Sequence, residues 1–167
     1  MRVAILTISD AASRGEREDI SGAAAAEWVS SRGDVVSARA TVPDDTVAIV
    51  RQLLAWCDGD DTDLVLTTGG TGLAPRDVTP EATRAVIERE APGIAERLRV
   101  ETGADVARAA LGRGIAGVRA RTLIVNLPGS PRAVRECLEV LAPIATHAVA
   151  ILRGNATDHS PATGHSP

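Results

Sequence analysis

The residues best suited to chemistry lie at 67–83, which read TTGGTGLAPRDVTPEAT. Gly69, Gly70 and Gly72 permit positive φ and close approach of the backbone to a ligand, so successive amides can converge on an anion. Neither common phosphate fingerprint fits, because GxGxxG requires a glycine where Pro75 stands and the Walker motif requires a lysine that this chain lacks. Taken alone, the stretch is equally well interpreted as a tight turn that only reverses the chain.

Asp77 favours a ligand site over a simple turn. A carboxylate beside an anion repels it unless a cation lies between them, and Mg²⁺ that bridges carboxylates and phosphates is the usual solution. Asp44 and Asp45 stand at another predicted helix start, where one can cap the helix while the other faces the pocket. The rival interpretation is a structural ion pair between Arg76 and Asp77.

A second turn, NLPGSP at 126–131, ends with Ser130 as the predicted N-cap of the last helix. A helix N-terminus is itself an anion site, so capping and ligand binding do not exclude each other. In an open parallel sheet the ligand crevice lies beyond the carboxyl ends of the strands. Ser9 and Asp10, the loop at 67–72 and the turn at 126–131 all leave such ends, so we expect them to line one pocket.

Strand-like and helical segments alternate along the chain, which predicts an α/β domain with a mostly parallel sheet. Strands are predicted at 3–9, 34–42, 63–68, 114–118 and 121–127, with the strand at 34–42 nearer an edge. Helices are predicted from a Ser21 cap to about Arg32, from Asp44 and Asp45 to about Cys57, at 80–90 behind a Thr79 cap, from Gly93 to about Thr102, after Asp105, and from Ser130 to about Leu152. The domain spans 1–153, and 154–167 is predicted to be a disordered tail.

Composition excludes several classes of site and partner. The eighteen basic residues are all arginine, so lysine nucleophiles and Schiff-base lysines are excluded. A net charge of −4 without a basic run argues against a nucleic-acid surface. The sequence has no apolar run long enough to cross a bilayer and no signal-peptide pattern. Cys57 and Cys137, in apolar helical surroundings, predict buried reduced thiols in a cytoplasmic protein.

Several motifs together resemble a known family. LTISD, REDISG, PDD, LVLTTGGTGLAPRDVTPEAT and TLIVNLPGSPRAVRECL, in this order and spacing, resemble the Mog/MoaB family of molybdenum-cofactor biosynthesis proteins. That family includes bacterial molybdopterin adenylyltransferase and the G domain of gephyrin. The resemblance implies a three-layer α/β/α fold, usually a homotrimer, that uses MgATP to adenylylate the terminal phosphate of molybdopterin and releases pyrophosphate. It also implies a molybdenum-insertion protein as a partner.

The resemblance assigns the catalytic, metal-linked acids to Asp44 and Asp77. It also places seven residues of the two turns at the border of the ligand pocket: Gly69, Gly70, Thr71, Gly72, Pro128, Gly129 and Ser130. The argument from strand ends adds four further substrate-binding residues: Ser9, Asp10, Thr68 and Asn126. Arg76, the arginine next to Asp77, is also expected to bind substrate.

One position departs from the family pattern. Gly112, in LGRGIAG, stands where relatives often carry serine, so a pocket contact is expected to be missing there. Two alternatives to the transferase remain. The first is a non-catalytic pterin-binding or scaffolding paralogue. The second is a nicotinamide-dependent oxidoreductase, which is disfavoured because its fingerprint fails at Pro75.

Overall fold

The computed structural model describes residues 1–103 and 107–154. Within these residues the strands are β1 (Arg2–Ile8), β2 (Val35–Val42), β3 (Leu64–Thr68), β4 (Arg89–Glu90), β5 (Ala116–Arg119) and β6 (Thr122–Leu127). The α-helices are α1 (Asp10–Ser13), α2 (Ile20–Ser31), α3 (Thr46–Cys57), α4 (Thr79–Arg84), α5 (Pro92–Gly103) and α6 (Pro131–Leu152). The short helix predicted after Asp105 is a 3-10 helix, Ala107–Leu111. Apart from Gly154, the predicted tail lies outside the described residues.

The sheet is mostly parallel, as predicted. Its strand order is β2-β1-β3-β6-β5-β4. The strands β2, β1, β3 and β6 run parallel, while β5 is antiparallel to β6 and β4 is antiparallel to β5. The carboxyl ends of the four parallel strands therefore meet at one edge, where the segments after Ile8, Val42, Thr68 and Leu127 emerge together. The strand order changes direction at β1, which is where a crevice opens in such sheets.

Successive side chains of each strand point to opposite faces, and both faces are covered. Val3 and Ile5 of β1 pack into a core with residues of α2, α5 and α6. Ala4 and Leu6 pack into the second core, with residues of α3 and α4. Every residue of β3 is buried, as expected of a central strand covered on both sides. Two helical layers thus enclose the sheet, and β2, with alternating exposed residues, is an edge strand as predicted.

The N-terminus of α2 differs from the prediction. Ser21 was expected to cap it, but the cap is Asp19, whose Oδ1 accepts a hydrogen bond from the Gly22 amide at 2.7 Å. The other carboxylate oxygen of Asp19 accepts a hydrogen bond from the Thr7 hydroxyl at 2.8 Å. A carboxylate can accept both bonds and interacts favourably with the helix dipole, so it prevails over the hydroxyl two residues later. Gly33, at φ +73°, follows the helix as the predicted left-handed stop.

The helix predicted at 80–90 is shorter and begins differently. Thr79 is the first residue of α4 rather than its cap, and no side chain among the described residues caps this helix. The Thr79 hydroxyl instead donates a hydrogen bond to the Gly69 carbonyl oxygen at 2.8 Å. The helix ends at Arg84, because Arg89 and Glu90 pair with β5 as a strand. Sheet pairing at this edge thus overrides the local helical propensity.

Both cysteines are free and buried, as predicted. Burial raises the pKa of the Cys57 thiol to about 12 and that of the Cys137 thiol to about 11. Because the thiolate is the reactive form, we expect neither residue of the folded protein to be alkylated by iodoacetamide at pH 8. Both should react after denaturation in guanidinium chloride. Mass spectrometry of the two samples checks this prediction, and modification of the native protein would contradict it.

No helix among residues 1–103 and 107–154 is both long and apolar enough to cross a membrane.

Candidate active site

The glycine loop after β3 adopts a backbone shape that other residues rarely allow. Gly69 has φ +96° and Gly70 has φ +62°. A β-carbon on Gly69 would lie 2.3 Å from the carbonyl oxygen of Ile8, at the end of the neighbouring strand β1. On Gly70 it would lie 2.3 Å from the Thr79 hydroxyl oxygen. Glycine is therefore required here both by backbone conformation and by close packing.

The amides of this loop are available to a ligand. Within the described residues, the backbone N–H groups of Gly70, Thr71 and Gly72 donate no hydrogen bond to the protein. The carbonyls on the same stretch are held from behind: the Thr79 amide donates to Gly70 at 3.0 Å, and the Arg113 amide donates to Thr71 at 2.8 Å. We call the Gly70–Gly72 stretch the nest, because runs of successive unpaired N–H groups bind anions in proteins where the groups converge.

Asp77 lies against this nest. Its Oδ2 accepts a hydrogen bond from the Ala74 amide at 2.8 Å and would be 2.8 Å from a β-carbon on Gly72. Arg76 forms no ion pair with Asp77 within the described residues; it pairs with Asp10 at 2.7 Å. The rival interpretation of an Arg76–Asp77 ion pair is therefore wrong, because the partner of Arg76 comes from the end of a different strand.

Asp44 approaches the same loop from the β1 side. Its Oδ2 accepts a hydrogen bond from the Asp10 amide at 2.8 Å, and its own amide donates to Asp10 Oδ1 at 3.1 Å. Its Oδ1 would lie 3.2 Å from a β-carbon on Gly70. The hydrogen bond from Arg76 holds the pKa of the Asp10 carboxyl below its usual range. As expected for a capping pair, Asp45 caps α3 through the Ala48 amide, which leaves Asp44 free to face the loop.

The second turn forms the facing wall. Ser130 caps α6, accepting a hydrogen bond from the Ala133 amide at 3.2 Å, as predicted. Gly129 packs against Gly69, with 3.4 Å between its β-carbon position and the Gly69 α-carbon. The N-terminus of the long helix α6 thus stands beside the glycine loop, and its partial positive charge favours an anion at this position.

Asn126 supports the two walls from below. Its side chain is buried, and its Nδ2 donates to the Thr67 and Thr83 hydroxyls at 2.9 Å each. Its Oδ1 accepts a hydrogen bond from the Ile115 amide at 3.2 Å. The amide group therefore links β3, α4 and the segment before β5, next to the points where both turns begin.

A cavity of about 560 Å³ lies between the glycine loop, the α6 N-terminus, α5 and the 3-10 helix. Eight of the predicted site residues line it: Gly70, Thr71, Gly72, Asp77, Asn126, Pro128, Gly129 and Ser130. The other six are not in its wall: Ser9, Asp10, Asp44, Thr68, Gly69 and Arg76. The strand ends thus form two adjoining regions rather than the single pocket expected. Asp44, Asp10 and Arg76 form the second region, on the β1 side of the loop.

Thr68 and Ser9 are two of the predicted site residues outside the cavity wall. Thr68 is fully buried, and its hydroxyl has no hydrogen-bond partner among the described residues. The Ser9 hydroxyl caps α1 through the Ala12 amide at 3.2 Å. This four-residue helix was not predicted from the sequence.

Three arginines of the site were not predicted. Arg99 and Arg108 line the cavity from α5 and the 3-10 helix, and Arg99 donates to the Gly114 carbonyl at 2.8 Å. Arg113 contacts the glycine loop from behind, at Gly72. Gly112, which departs from the family pattern, lines the cavity. An isolated arginine in a sequence gives no comparable signal, because its position does not indicate its partner.

Comparison with known proteins identifies the family. A sequence profile described as a probable molybdopterin binding domain matches residues 4–147. The protein belongs to this molybdopterin-binding domain family. This match and the relatives described below confirm the Mog/MoaB resemblance, and the solved structures among them confirm the three-layer α/β/α fold.

Curated members of the family with similar sequences include transferases. The molybdopterin adenylyltransferase of Helicobacter pylori is 41% identical over 157 residues, covering 93% of this chain and 89% of that protein. The molybdopterin adenylyltransferase of Escherichia coli K12 is 41% identical over 141 residues, covering 83% and 72% of the two chains.

Solved structures of family members share the fold. The molybdopterin biosynthesis enzyme MoaB of Thermus thermophilus is 50% identical, with a TM-score of 0.86 over 92% of this chain and 96% of that chain. The Mog protein of Mycobacterium ulcerans is 38% identical, with a TM-score of 0.85 over 90% and 98% of the two chains. Both the Mog and the MoaB branches are therefore represented among these neighbours.

Proposed function

We propose that this protein is a molybdopterin adenylyltransferase, which transfers AMP from ATP to the terminal phosphate of molybdopterin. In this reaction an oxygen of the pterin phosphate forms a bond to the α-phosphorus of ATP. The bond from that phosphorus to its bridging oxygen breaks, and pyrophosphate leaves with the bonding electrons. The name and the 41% identity of the Helicobacter pylori relative, over nearly the whole of both chains, support this assignment.

One structural observation carries the proposal: Gly70, Thr71 and Gly72, whose amides donate no hydrogen bond within the described residues, line a cavity that is also bordered by the N-terminus of α6. Both features favour negatively charged oxygens. Arg99 and Arg108 add two cationic side chains to the same wall. The cavity volume of about 560 Å³ lies in the range typical of small-molecule sites.

The acids of the site fit Mg²⁺, a hard cation that is usually bound by one or two carboxylates together with substrate phosphates. No cluster of three or more metal-binding side chains occurs among the described residues, so a protein-only metal cage is not the arrangement here. Asp44 and Asp77 would hold the ion, since each presents a carboxylate to one end of the Gly70–Gly72 stretch. When bound, Mg²⁺ supplies positive charge that offsets the negative charge of the phosphates.

The remaining chemistry needs no lysine or histidine base. The attacking phosphate is ionised at neutral pH, because the second pKa of a phosphate monoester is about 6. Catalysis then depends on positioning the two phosphates and on stabilising the charge that develops on the pyrophosphate. The loop amides bind and orient phosphate oxygens, and the buried floor at Asn126 keeps the two walls in register.

The rival is a non-catalytic pterin-binding or scaffolding paralogue. Both acids of the site are present in this chain, which favours the enzyme. A homotrimer and a molybdenum-insertion partner are further proposals that rest on the family resemblance. A cytoplasmic location is proposed from the two buried thiols.

The decisive experiment is incubation with molybdopterin and α-labelled ATP, with and without Mg²⁺. We expect the label to move to the pterin only when the ion is present, with one pyrophosphate released for each transfer. In a parallel reaction with γ-labelled ATP, the label should appear in pyrophosphate and never in the pterin. Pterin binding without transfer would identify the paralogue, and the absence of both would overturn the assignment.

A further inference from the structure

Arg113 makes an unusual set of contacts behind the glycine loop. Its Nε donates to the Gly72 carbonyl oxygen at 2.7 Å, and its Nη2 donates to the Asp77 carbonyl oxygen at 2.5 Å. The same guanidinium forms an ion pair with Glu81 of α4. One side chain therefore connects both ends of the segment at 72–77 to the adjoining helix.

These contacts fix more than the carbonyls. In a trans peptide unit the C=O and the following N–H point in opposite directions, so holding a carbonyl from behind directs the next amide forward. The Thr79 hydroxyl and amide hold the carbonyls of Gly69 and Gly70 in this way, which orients the amides of Gly70 and Thr71. The backbone N–H of Arg113 holds the Thr71 carbonyl and so orients the Gly72 amide.

The guanidinium extends this support to the acid. By holding the carbonyls of Gly72 and Asp77, it fixes the start and the end of the turn in which the Ala74 amide meets the Asp77 carboxylate. Arg113 is not in the wall of the 560 Å³ cavity but lines an adjoining cavity of about 310 Å³. Its guanidinium is paired with Glu81, whose pKa it lowers, and donates to two carbonyls of the segment at 72–77.

We propose that Arg113 is a positioning residue that holds the segment at 72–77, and with it Asp77, in the geometry needed for transfer. A planar guanidinium with donors in a fixed fork can reach the two carbonyls and the carboxylate at once, which the single ammonium group of lysine cannot do. The catalytic part of this inference rests on the proposed transferase function. The structural part, that Arg113 orders the loop, does not.

The kinetic test compares Arg113→Ala with Arg119→Ala. Arg119 is a close match, since its guanidinium also pairs with a carboxylate, Asp58, and donates to a carbonyl, Val86, but it lies at the end of β5 that pairs with the first residue of β6. The side chains are 34% and 24% exposed, respectively. We expect Arg113→Ala to lower kcat about 100-fold with little change in the KM for molybdopterin, because small misplacements of a catalytic group have effects of this size. Arg119→Ala should keep wild-type kcat.

Conservative replacement and chemical rescue separate positioning from general stability. Arg113→Lys should recover only part of the lost kcat, and added guanidinium should partly restore Arg113→Ala but leave Arg119→Ala unchanged. A wild-type kcat in Arg113→Ala would overturn the inference. A loss of global stability in both Arg113 variants, seen as a fall in Tm, would also overturn it, because Arg113 would then be a structural residue.

A second measurement does not depend on catalysis. Hydrogen exchange of the Ala74 and Asp77 amides, which are hydrogen-bonded within the turn, should be faster in Arg113→Ala than in the wild type and unchanged in Arg119→Ala. If the wild type transfers no AMP, the proposed function fails, while exchange still decides whether Arg113 orders the loop. Unchanged exchange at both amides in a folded Arg113→Ala would overturn the inference even if the wild type is an active transferase.

Discussion

Asp77→Asn is expected to fold normally and to lose AMP transfer by a factor of about a hundred or more. Asparagine has nearly the same shape, and its Oδ1 can still accept the hydrogen bond that the Ala74 amide donates to Asp77 at 2.8 Å. What it lacks is the negative charge that would hold Mg²⁺ beside the phosphates. Turnover of labelled ATP measures the activity, and thermal unfolding measures the stability.

Asp45→Asn provides the matched control. Asp45 also accepts a hydrogen bond from a backbone amide at 2.8 Å, that of Ala48, but it does so as the N-cap of α3. Asparagine is as good a cap as aspartate, so both stability and turnover should stay close to the wild type. Near-normal transfer by Asp77→Asn would remove the role proposed for that acid.

Gly69→Ala is expected to have the largest effect on stability, about 3–5 kcal/mol of unfolding free energy. Alanine is strained at φ +96°, and its β-carbon would lie 2.3 Å from the Ile8 carbonyl oxygen. This oxygen belongs to the backbone of a central strand, so it cannot move aside as the end of a flexible side chain could. The midpoint of urea unfolding measures the loss.

Gly33→Ala separates backbone strain from the steric clash. Gly33 also has a positive φ, +73°, but a β-carbon there would have no heavy atom within 4 Å. Its replacement should therefore lower the unfolding free energy only by the strain of the left-handed conformation, about 1–2 kcal/mol. If the two variants are equally destabilised, the close approach of the glycine loop to β1 is not present in the protein.

The local parts of this site could be predicted from the sequence because they depend on neighbours in the chain. Residue type alone indicated that Gly69, Gly70 and Gly72 could adopt a positive φ; Gly69 and Gly70 do so, and Gly72 does not. The caps at Asp45 and Ser130 depend on a side chain and an amide three residues apart. The apolar residues Leu64, Val65 and Leu66 indicated a central strand at β3, and the order of strands and helices predicted a mostly parallel sheet.

Interactions between distant segments were less predictable. Arg76 was considered as a partner of its neighbour Asp77, yet it pairs with Asp10, which lies 66 residues earlier in the chain. Long arginine side chains can select among several carboxylates, and the choice depends on distances that exist only after the strands have assembled. The early end of α4 has a similar cause, since residues at 89–90 satisfy their backbone groups by pairing with β5.

The sequence by itself indicated that the segments at 67–72 and 126–131 could bind an anion, and it excluded every site that requires a lysine. It also identified the family to which the chain belongs. Only the tertiary structure decided that Asp77 lies in the cavity wall, that Asp44 approaches the loop from the β1 side, and that Arg113 supports the loop from behind. The physical reason is that backbone conformation and capping are set by nearby residues, whereas the direction of a peptide amide and the partner of a charge depend on groups brought together by folding.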